Sequence, residues 1–159
     1  MSKRLPRGWK LMRRPTRAEL RLRRADIAWR MGSYLEDIGD VKGAIEEYKI
    51  GAEGGNTFAQ NCLATLLDDK IDPPDPVSAV YWYKRAVAKG DESAVWNLAM
   101  HHASRGRKRW YLYWLRRAKE LGYEGADDEL KHMSFWSGDG PHKSPRVRKP
   151  IGIDGSASR

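Results

Sequence analysis

The side chains that could carry out chemistry are few and lie far apart in this sequence. His101 and His102 are adjacent, and a helix would turn them about 100° apart, which makes the pair a poor chelate for one metal ion. Glycine-rich phosphate loops, GxSxG elbows, HExxH motifs and cysteine clusters do not occur. Acidic clusters at Asp68-Asp69 and at 127–129 are either weak cation sites or acids that stabilise helix N-termini. We therefore expect a protein that is not an enzyme and has no cofactor and no metal site.

Arginine side chains suggest a second kind of chemistry, the binding of anions. Residues 1–25 contain ten Lys and Arg against one acid, and residues 137–159 contain five against two, whereas the segment between them is net negative. Four arginines recur every three or four residues and would line one outer side of a helix: Arg14, Arg17, Arg21 and Arg24. Such a basic patch could bind nucleic acid, an anionic surface or an acidic protein. A solvated helix face is the alternative interpretation.

A repeated phrase indicates which elements must position these residues. AVYWYKRAVAKG (79–90) returns as YLYWLRRAKELG (111–122), with a weaker copy, AIEEYKIGAEGG, at 44–55. The closing glycines lie 35 and 32 residues apart, a period typical of stacked helical repeats. Upstream of each copy, one apolar residue is followed four and five positions later by a pair of residues on the same helix face. The three sets are Ile27 with Met31-Gly32, Ala59 with Leu63-Ala64, and Ala94 with Leu98-Ala99.

Capping signals set the limits of the predicted helices. Thr16 and Glu19 form a plausible capping box, and Leu20, Ile27 and Met31 would face inward on the helix that it opens. N-cap residues stand at Asn56, Asp75 and Asp91, and glycines suited to closing a helix stand at Gly55, Gly90 and Gly122. We predict helices at 16–37, 41–53, 57–69, 76–89, 92–104, 107–121 and 125–133.

These residues resemble the Sel-one-like repeat (SLR) family, which is related to the tetratricopeptide repeat. Unit two carries the strongest likeness, in Ala79, Trp82-Tyr83, Lys84, Ala86 and Gly90, whereas unit one has Glu47 and unit three has His102 at usual aromatic sites. The resemblance implies an all-α, right-handed α/α superhelix of about three helix-turn-helix repeats plus a C-terminal capping helix. The repeat domain would span 16–136, as units 25–56, 57–91 and 92–123 and half unit 124–136, between a basic arm (1–15) and a disordered basic tail (137–159).

The resemblance also implies a function, since family members act as adaptors that hold a partner segment in a concave groove. Transfer by register places these residues in the groove: Trp29, Ser33, Glu36, Asn61, Thr65, Asp68, Trp96 and Met100. Its carboxylates favour a partner protein or peptide that is basic, and one basic end of the chain is an intramolecular candidate. The alternative interpretation of Trp29 and Trp96 is that they pack between repeats. Two alternative functions are nucleic-acid binding through the arginine patch and a structural subunit that dimerises through Phe135 and Trp136.

Cysteine content and hydrophobicity bear on the cellular compartment of the protein. The single cysteine, Cys62, cannot form an internal disulfide, and secreted members of the family usually carry two cysteines for each helix pair. No stretch approaches eighteen apolar residues, which excludes a membrane span. We therefore expect a cytoplasmic protein. A cleavable organelle presequence is the alternative interpretation of the Arg-rich start.

Overall fold

The computed structural model describes residues 13–137, with side chains up to Met133. This part of the chain forms seven α-helices and no β-strand, which confirms the predicted all-α class. The helices are α1 (Arg17–Asp37), α2 (Val41–Gly54), α3 (Thr57–Thr65), α4 (Pro76–Val87), α5 (Glu92–Ser104), α6 (Lys108–Glu120) and α7 (Ala126–Ser137). None of these seven helices combines the length and apolar composition that a bilayer-spanning segment needs.

Some predictions fall outside the described residues. They are most of the basic arm, all but the first residue of the basic tail, and the side chains of Phe135 and Trp136. The predicted third helix differs from the observed one, because α3 ends at Thr65 and a five-residue π-helical turn, Leu66–Lys70, continues it.

Helix N-termini carry the side-chain caps that the sequence predicts. Thr16 Oγ1 accepts a hydrogen bond from the Glu19 amide at 3.2 Å, and the Glu19 carboxylate accepts one from the Thr16 amide at 2.6 Å, which completes the capping box. Pro76 occupies the first turn of α4, where no amide donor is required. Amides three residues further on donate at 2.8 to 3.0 Å to three more N-cap side chains: Asn56, Asp75 and Asp91.

Glycines reverse the chain at the predicted closing positions. The φ angle is 100° at Gly55, 86° at Gly90 and 89° at Gly122, in the left-handed region where a Cβ atom is unfavourable. After Gly55 the Asn56 amide donates to the Gly51 carbonyl at 3.0 Å, so the chain passes directly into α3. Local sequence therefore fixes both ends of the turns between consecutive helices.

Buried side chains form three successive clusters. The first joins α2 to α3 and the π turn, the second joins α3, α4 and α5, and the third joins α5, α6 and α7. Extensive contacts join each helix to the next one in the chain, and a few contacts join α1 to α3 and α3 to α5. Successive clusters share helices α3 and α5, so neighbouring helix pairs have a continuous core.

The apolar residues that open each unit are covered by the helix that precedes them. Ala59 and Leu63 share the first cluster with α2, and Ala94 and Leu98 share the second cluster with α4. Ala126 occupies the same register position and shares the third cluster with α6. The repeat register deduced from the sequence therefore matches the observed packing of α3, α5 and α7.

Helix α1 departs from this pattern. The prediction that Leu20, Ile27 and Met31 face inward is wrong, because these side chains are 51%, 66% and 46% exposed. No helix precedes α1 within residues 13–137, so the face that α2 covers on α3 has no equivalent cover on α1. Helix α1 instead buries small residues against α2: Ala25, Ala28 and Gly32.

Small residues allow α1 and α2 to approach closely. A Cβ atom added to Gly32 would lie 2.5 Å from Cδ1 of Tyr48, whose ring is buried in the first cluster. A Cβ atom added to Gly54 on α2 would lie 2.5 Å from that of Ala25 on α1. Both distances are shorter than a van der Waals contact, so these positions require glycine for packing.

Candidate functional site

A cleft of about 530 Å³ lies between the π turn, α4 and α5. We refer to it as the cleft. Three residues of the predicted groove, Thr65, Asp68 and Met100, are brought together there. The other lining residues lie in the π turn, on α4, on α5 and directly after α5: Asp69, Tyr83, Asn97, His101, Ser104 and Arg105. The cleft therefore combines carboxylates, a guanidinium, neutral polar groups and one thioether.

The π turn positions Asp68 in the cleft. Within the turn, Leu66 is buried in the first cluster, and two residues later the Asp68 side chain is only 12% exposed. A π-helical turn has i to i+5 hydrogen bonds, which change the direction of its side chains relative to an α-helix. The Leu67 carbonyl accepts a hydrogen bond from the Asp75 amide at 2.8 Å, which ties the turn to the start of α4.

Asp68 is held by two residues at the C-terminal end of α5, His101 and the C-cap residue Arg105. His101 Nδ1 lies 2.9 Å from both carboxylate oxygens, and the Arg105 guanidinium donates to Asp68 Oδ1 at 2.7 Å. A carboxylate only accepts hydrogen bonds, so Nδ1 of His101 is the protonated ring nitrogen. The Asp68 charge is therefore fixed in position and compensated by Arg105 within the protein.

His101 is a neutral, buried component of this network. Its side chain is 1% exposed, and burial lowers its pKa below the ordinary value although the hydrogen bond to Asp68 acts in the opposite direction. Its Nε2 atom is also buried and has no hydrogen-bond partner among the described residues. His101 thus orients Asp68, while its own free lone pair is not presented to solvent.

Neutral polar pairs line the rest of the cleft. The hydroxyl oxygens of Thr65 and Tyr83 lie 3.2 Å apart, and burial raises the pKa of Tyr83 to about 12. Asn97 donates from its side-chain amide to the Asn61 side-chain oxygen at 3.0 Å, which joins α5 to α3. Asn61, another predicted groove residue, thereby lies next to the cleft without being part of its lining. These pairs hold the walls in fixed positions.

Asp69 differs from Asp68. It lines the cleft, it is exposed, and it forms no ion pair or hydrogen bond with another described residue. Since Arg105 compensates Asp68, Asp69 leaves the cleft with one uncompensated negative charge. Met100 on the facing helix is half-buried and offers an apolar contact. The cleft is therefore suited to a ligand group that is cationic and carries an apolar part.

The other predicted groove residues lie elsewhere. Trp29 is half-buried and contacts Phe58 with ring centroids 5.3 Å apart, and Trp96 stacks on Tyr123 at 4.8 Å. On α1, the Glu36 carboxylate accepts a hydrogen bond from the Tyr48 hydroxyl at 2.8 Å, and Ser33 is half-buried. None of these four predicted residues lines the cleft.

The predicted basic patch is solvent-exposed. Arg14 precedes α1, and the other three members, Arg17, Arg21 and Arg24, lie on it. None of the four forms an ion pair or hydrogen bond with another residue of the described part of the chain. Their guanidinium groups are available to an external anion or carboxylate.

Sequence reasoning did not identify His101 and Arg105 as members of the site. A usable signal is present, since Asp68 and His101 are 33 residues apart, close to the repeat period, and so fall on neighbouring units. Arg105 is 37 residues from Asp68 and follows the same logic. Within residues 13–137, no three His, Cys, Asp or Glu side chains are grouped so that they could hold a metal ion.

Comparisons with known proteins do not add a family to these observations. No family model, curated protein or solved structure matches this chain. The resemblance to Sel-one-like repeats therefore stays a prediction from the residues quoted above. What the site does has to be argued from its geometry and charges.

Proposed function

We propose that this protein is a non-catalytic interaction scaffold that binds a basic segment of a partner protein in the cleft. The observation that carries the proposal is Asp69, an exposed carboxylate without a partner among the described residues, beside an Asp68 that Arg105 and His101 hold in place. A Lys or Arg side chain of the partner would pair with Asp69. Its aliphatic part would lie on Met100.

The same proposal includes the arrangement of the helices. We infer that the helix pairs stack as a right-handed α/α superhelix of the Sel-one-like type, with about three units and a final capping helix. Two observations support this inference. Within residues 13–133 each buried cluster joins successive helices, and equivalent register positions in α3, α5 and α7 are covered by the preceding helix. In such a stack the cleft would lie where two neighbouring units meet.

Polar groups of the cleft would recognise the backbone of the partner segment. Asn97 and Ser104 lie on α5 and carry side-chain groups that can donate to or accept from a peptide. The Asn97–Asn61 and Thr65–Tyr83 pairs are formed in the absence of a ligand, so little side-chain ordering would be needed on binding.

A catalytic role for the Asp68–His101 pair is disfavoured by burial. A general base must reach the proton that it abstracts, and the Nε2 atom of His101 is enclosed within the protein. The lowered pKa of His101 has burial as its largest cause, which fits a packed residue. We also propose a cytoplasmic location, because the single cysteine, Cys62, cannot pair within the chain.

A peptide-display selection on the full chain tests the function. We expect the selected peptides to carry Lys or Arg next to an apolar residue. The Asp69→Lys variant should weaken their binding at least about tenfold, equivalent to about 1.4 kcal/mol, when measured by fluorescence anisotropy. Glu53→Lys, an equally exposed charge reversal on α2, is the matched control. Peptides without basic residues, or equal binding by both variants, would refute the proposal.

The second candidate function is nucleic-acid binding through the exposed arginine patch. The four arginines form no ion pair within the described part of the chain, which is the observation that favours it. Binding to duplex DNA would fall steeply with added salt and would be lost when Arg17, Arg21 and Arg24 are changed to Glu. Binding in the cleft would weaken only mildly with added salt, because one ion pair is involved, and would survive the arginine substitutions, so the two functions are separable.

A further inference from the structure

Helix α1 carries an exposed apolar stripe. Its members are Leu20, Ile27, Met31 and Tyr34, with Ile38 at the C-cap, and they are 46% to 66% exposed. At about 100° per residue they fall within about 40° of one line along the helix. Single exposed apolar residues are ordinary on protein surfaces, but five on one helix face indicate an interaction surface.

The packing of the other units shows what kind of element fits this stripe. Ile27 and Met31 occupy the register positions of Ala59 and Leu63, which α2 covers. The same positions of α5 and α7 are covered by α4 and α6. In each of these cases the cover is an α-helix that lies along the apolar face. The uncovered face of α1 therefore has the shape and spacing that accept one more helix.

Charge determines the character of that helix. Arg17 and Arg24 lie on one side of the stripe, Arg23 and Arg30 lie on the other, and all four are exposed. The four acidic residues of α1 offset them only in part: Glu19 pairs with Arg13 and also interacts with Arg23, Asp26 and Glu36 are engaged with Asn56 and Tyr48, and Asp37 lies two turns beyond Arg30 at the end of the helix. The fitting occupant is apolar along its centre and acidic along both edges.

Segments of this chain have the wrong charge to be that occupant. Residues 1–12 contain four basic residues and no acid, together with Pro6 and Gly8, which disfavour a helix. Residues 138–159 contain five basic residues against two acids. A second copy that presented the same stripe would place the flanking arginines opposite each other.

We propose that the apolar stripe of α1 and its flanking arginines form a second docking surface, which binds an amphipathic helix with acidic flanks from a partner protein. This surface is separate from the cleft, and the proposal does not depend on the function assigned there. A phosphate backbone would contact the arginines but would leave the apolar centre exposed, so the stripe favours a protein helix over a nucleic acid.

The test uses the full chain and a helix-stapled synthetic peptide with Leu along one face and Glu on both flanks. Fluorescence anisotropy should show binding, and a peptide with Lys in place of Glu should bind at least about tenfold more weakly. The double variant Ile27→Ser with Met31→Ser should lower the affinity for the acidic peptide at least about tenfold. Leu22→Ser is the matched control, since Leu22 is 51% exposed on the opposite side of α1.

Each other outcome overturns the proposal. Absence of binding, or equal binding by the double variant and the Leu22→Ser control, means that the stripe is not a docking surface for such a helix. A molecular mass by light scattering that falls to that of a monomer in the double variant means that a second copy covers the stripe. Binding of duplex DNA or of anionic vesicles that depends on Ile27 and Met31 assigns the surface to those ligands.

Circular dichroism and urea unfolding of the double variant confirm that the fold is retained.

Discussion

Replacing His102 by phenylalanine should remove a large part of the acid sensitivity of this protein. The His102 side chain is buried, stacks on Trp110 with ring centroids 5.9 Å apart, and meets the His101 ring edge-on at 5.0 Å. Burial is the largest cause that lowers the pKa of His102 from 6.5 to about 4, followed by the interaction with the neighbouring His101 ring and the positive charges of Arg107 and Lys84. The neutral ring is therefore the form that the folded state accepts.

The size of the effect follows from proton linkage. The folded-state pKa lies about 2.5 pH units below the value of 6.5 in the unfolded chain, which corresponds to about 3.5 kcal/mol in full at about 1.4 kcal/mol per unit, and to about 3 kcal/mol at about pH 4, where the folded state is itself half protonated. Since the unfolded chain takes up the proton first, this contribution is fully present above about pH 6.5. It is lost as the pH falls from about 6.5 to about 4, and it does not change further below that.

Urea unfolding followed by circular dichroism measures this effect. The free energy of unfolding of the wild type and of His102→Phe should be determined at about pH 7 and about pH 4. The carboxylates are common to both proteins and cancel in the difference, whereas the interaction of His102 with His101 is removed with His102 and is part of the measured effect. The variant should gain about 3 kcal/mol relative to the wild type between these two pH values. If the free energies of unfolding of the two proteins differ by the same amount at both pH values, the assignment of His102 as a buried neutral side chain is refuted.

Three further predictions concern packing and reactivity. Gly32→Ala should lower the free energy of unfolding by about 2 kcal/mol, because overpacking against the Tyr48 ring outweighs a gain of about 1 kcal/mol in helix propensity; an unchanged urea midpoint would contradict this. Cys62 should react with iodoacetamide much more slowly in the folded than in the unfolded protein, because burial raises the pKa of its thiol; equal rates would show an accessible thiolate. Tyr111→Phe should cost about 1 kcal/mol and accelerate amide hydrogen exchange in α7, since the Tyr111 hydroxyl donates to Glu129 at 2.6 Å; unchanged exchange would show that this bond does not anchor α7.

Features set by neighbouring residues were predictable from the sequence. The N-cap bonds of Asn56 and Asp91 and the left-handed conformation of Gly55 depend on a few consecutive residues, and the helix limits follow from them. Burial of the periodic apolar residues of α3 and α5 was also predictable, because Ala59, Leu63, Ala94 and Leu98 recur at helical spacing and pack in the clusters.

Features that depend on which other helices pack against a helix were not predictable from neighbouring residues. The pattern of Ile27 and Met31 is the same as that of the covered positions in α3, so the pattern itself does not indicate that α1 has no preceding helix among the described residues. The sequence predicts one helix over 57–69, whereas the chain changes from α3 to a π turn at Leu66–Lys70. That turn decides the position of Asp68, and with it the partners from the next unit that complete the cleft.

Because successive clusters share helices, a cut between two helices divides a buried cluster. Cleavage of the 71–75 segment, between the π turn and α4, would divide the second cluster, leaving Ala64 on one fragment and Ala79 and Leu98 on the other. Each fragment would expose one half of a complementary apolar surface. Fragments 13–71 and 72–137, produced separately, should therefore reassociate into a native-like complex when they are mixed, whereas neither alone should show a cooperative thermal transition.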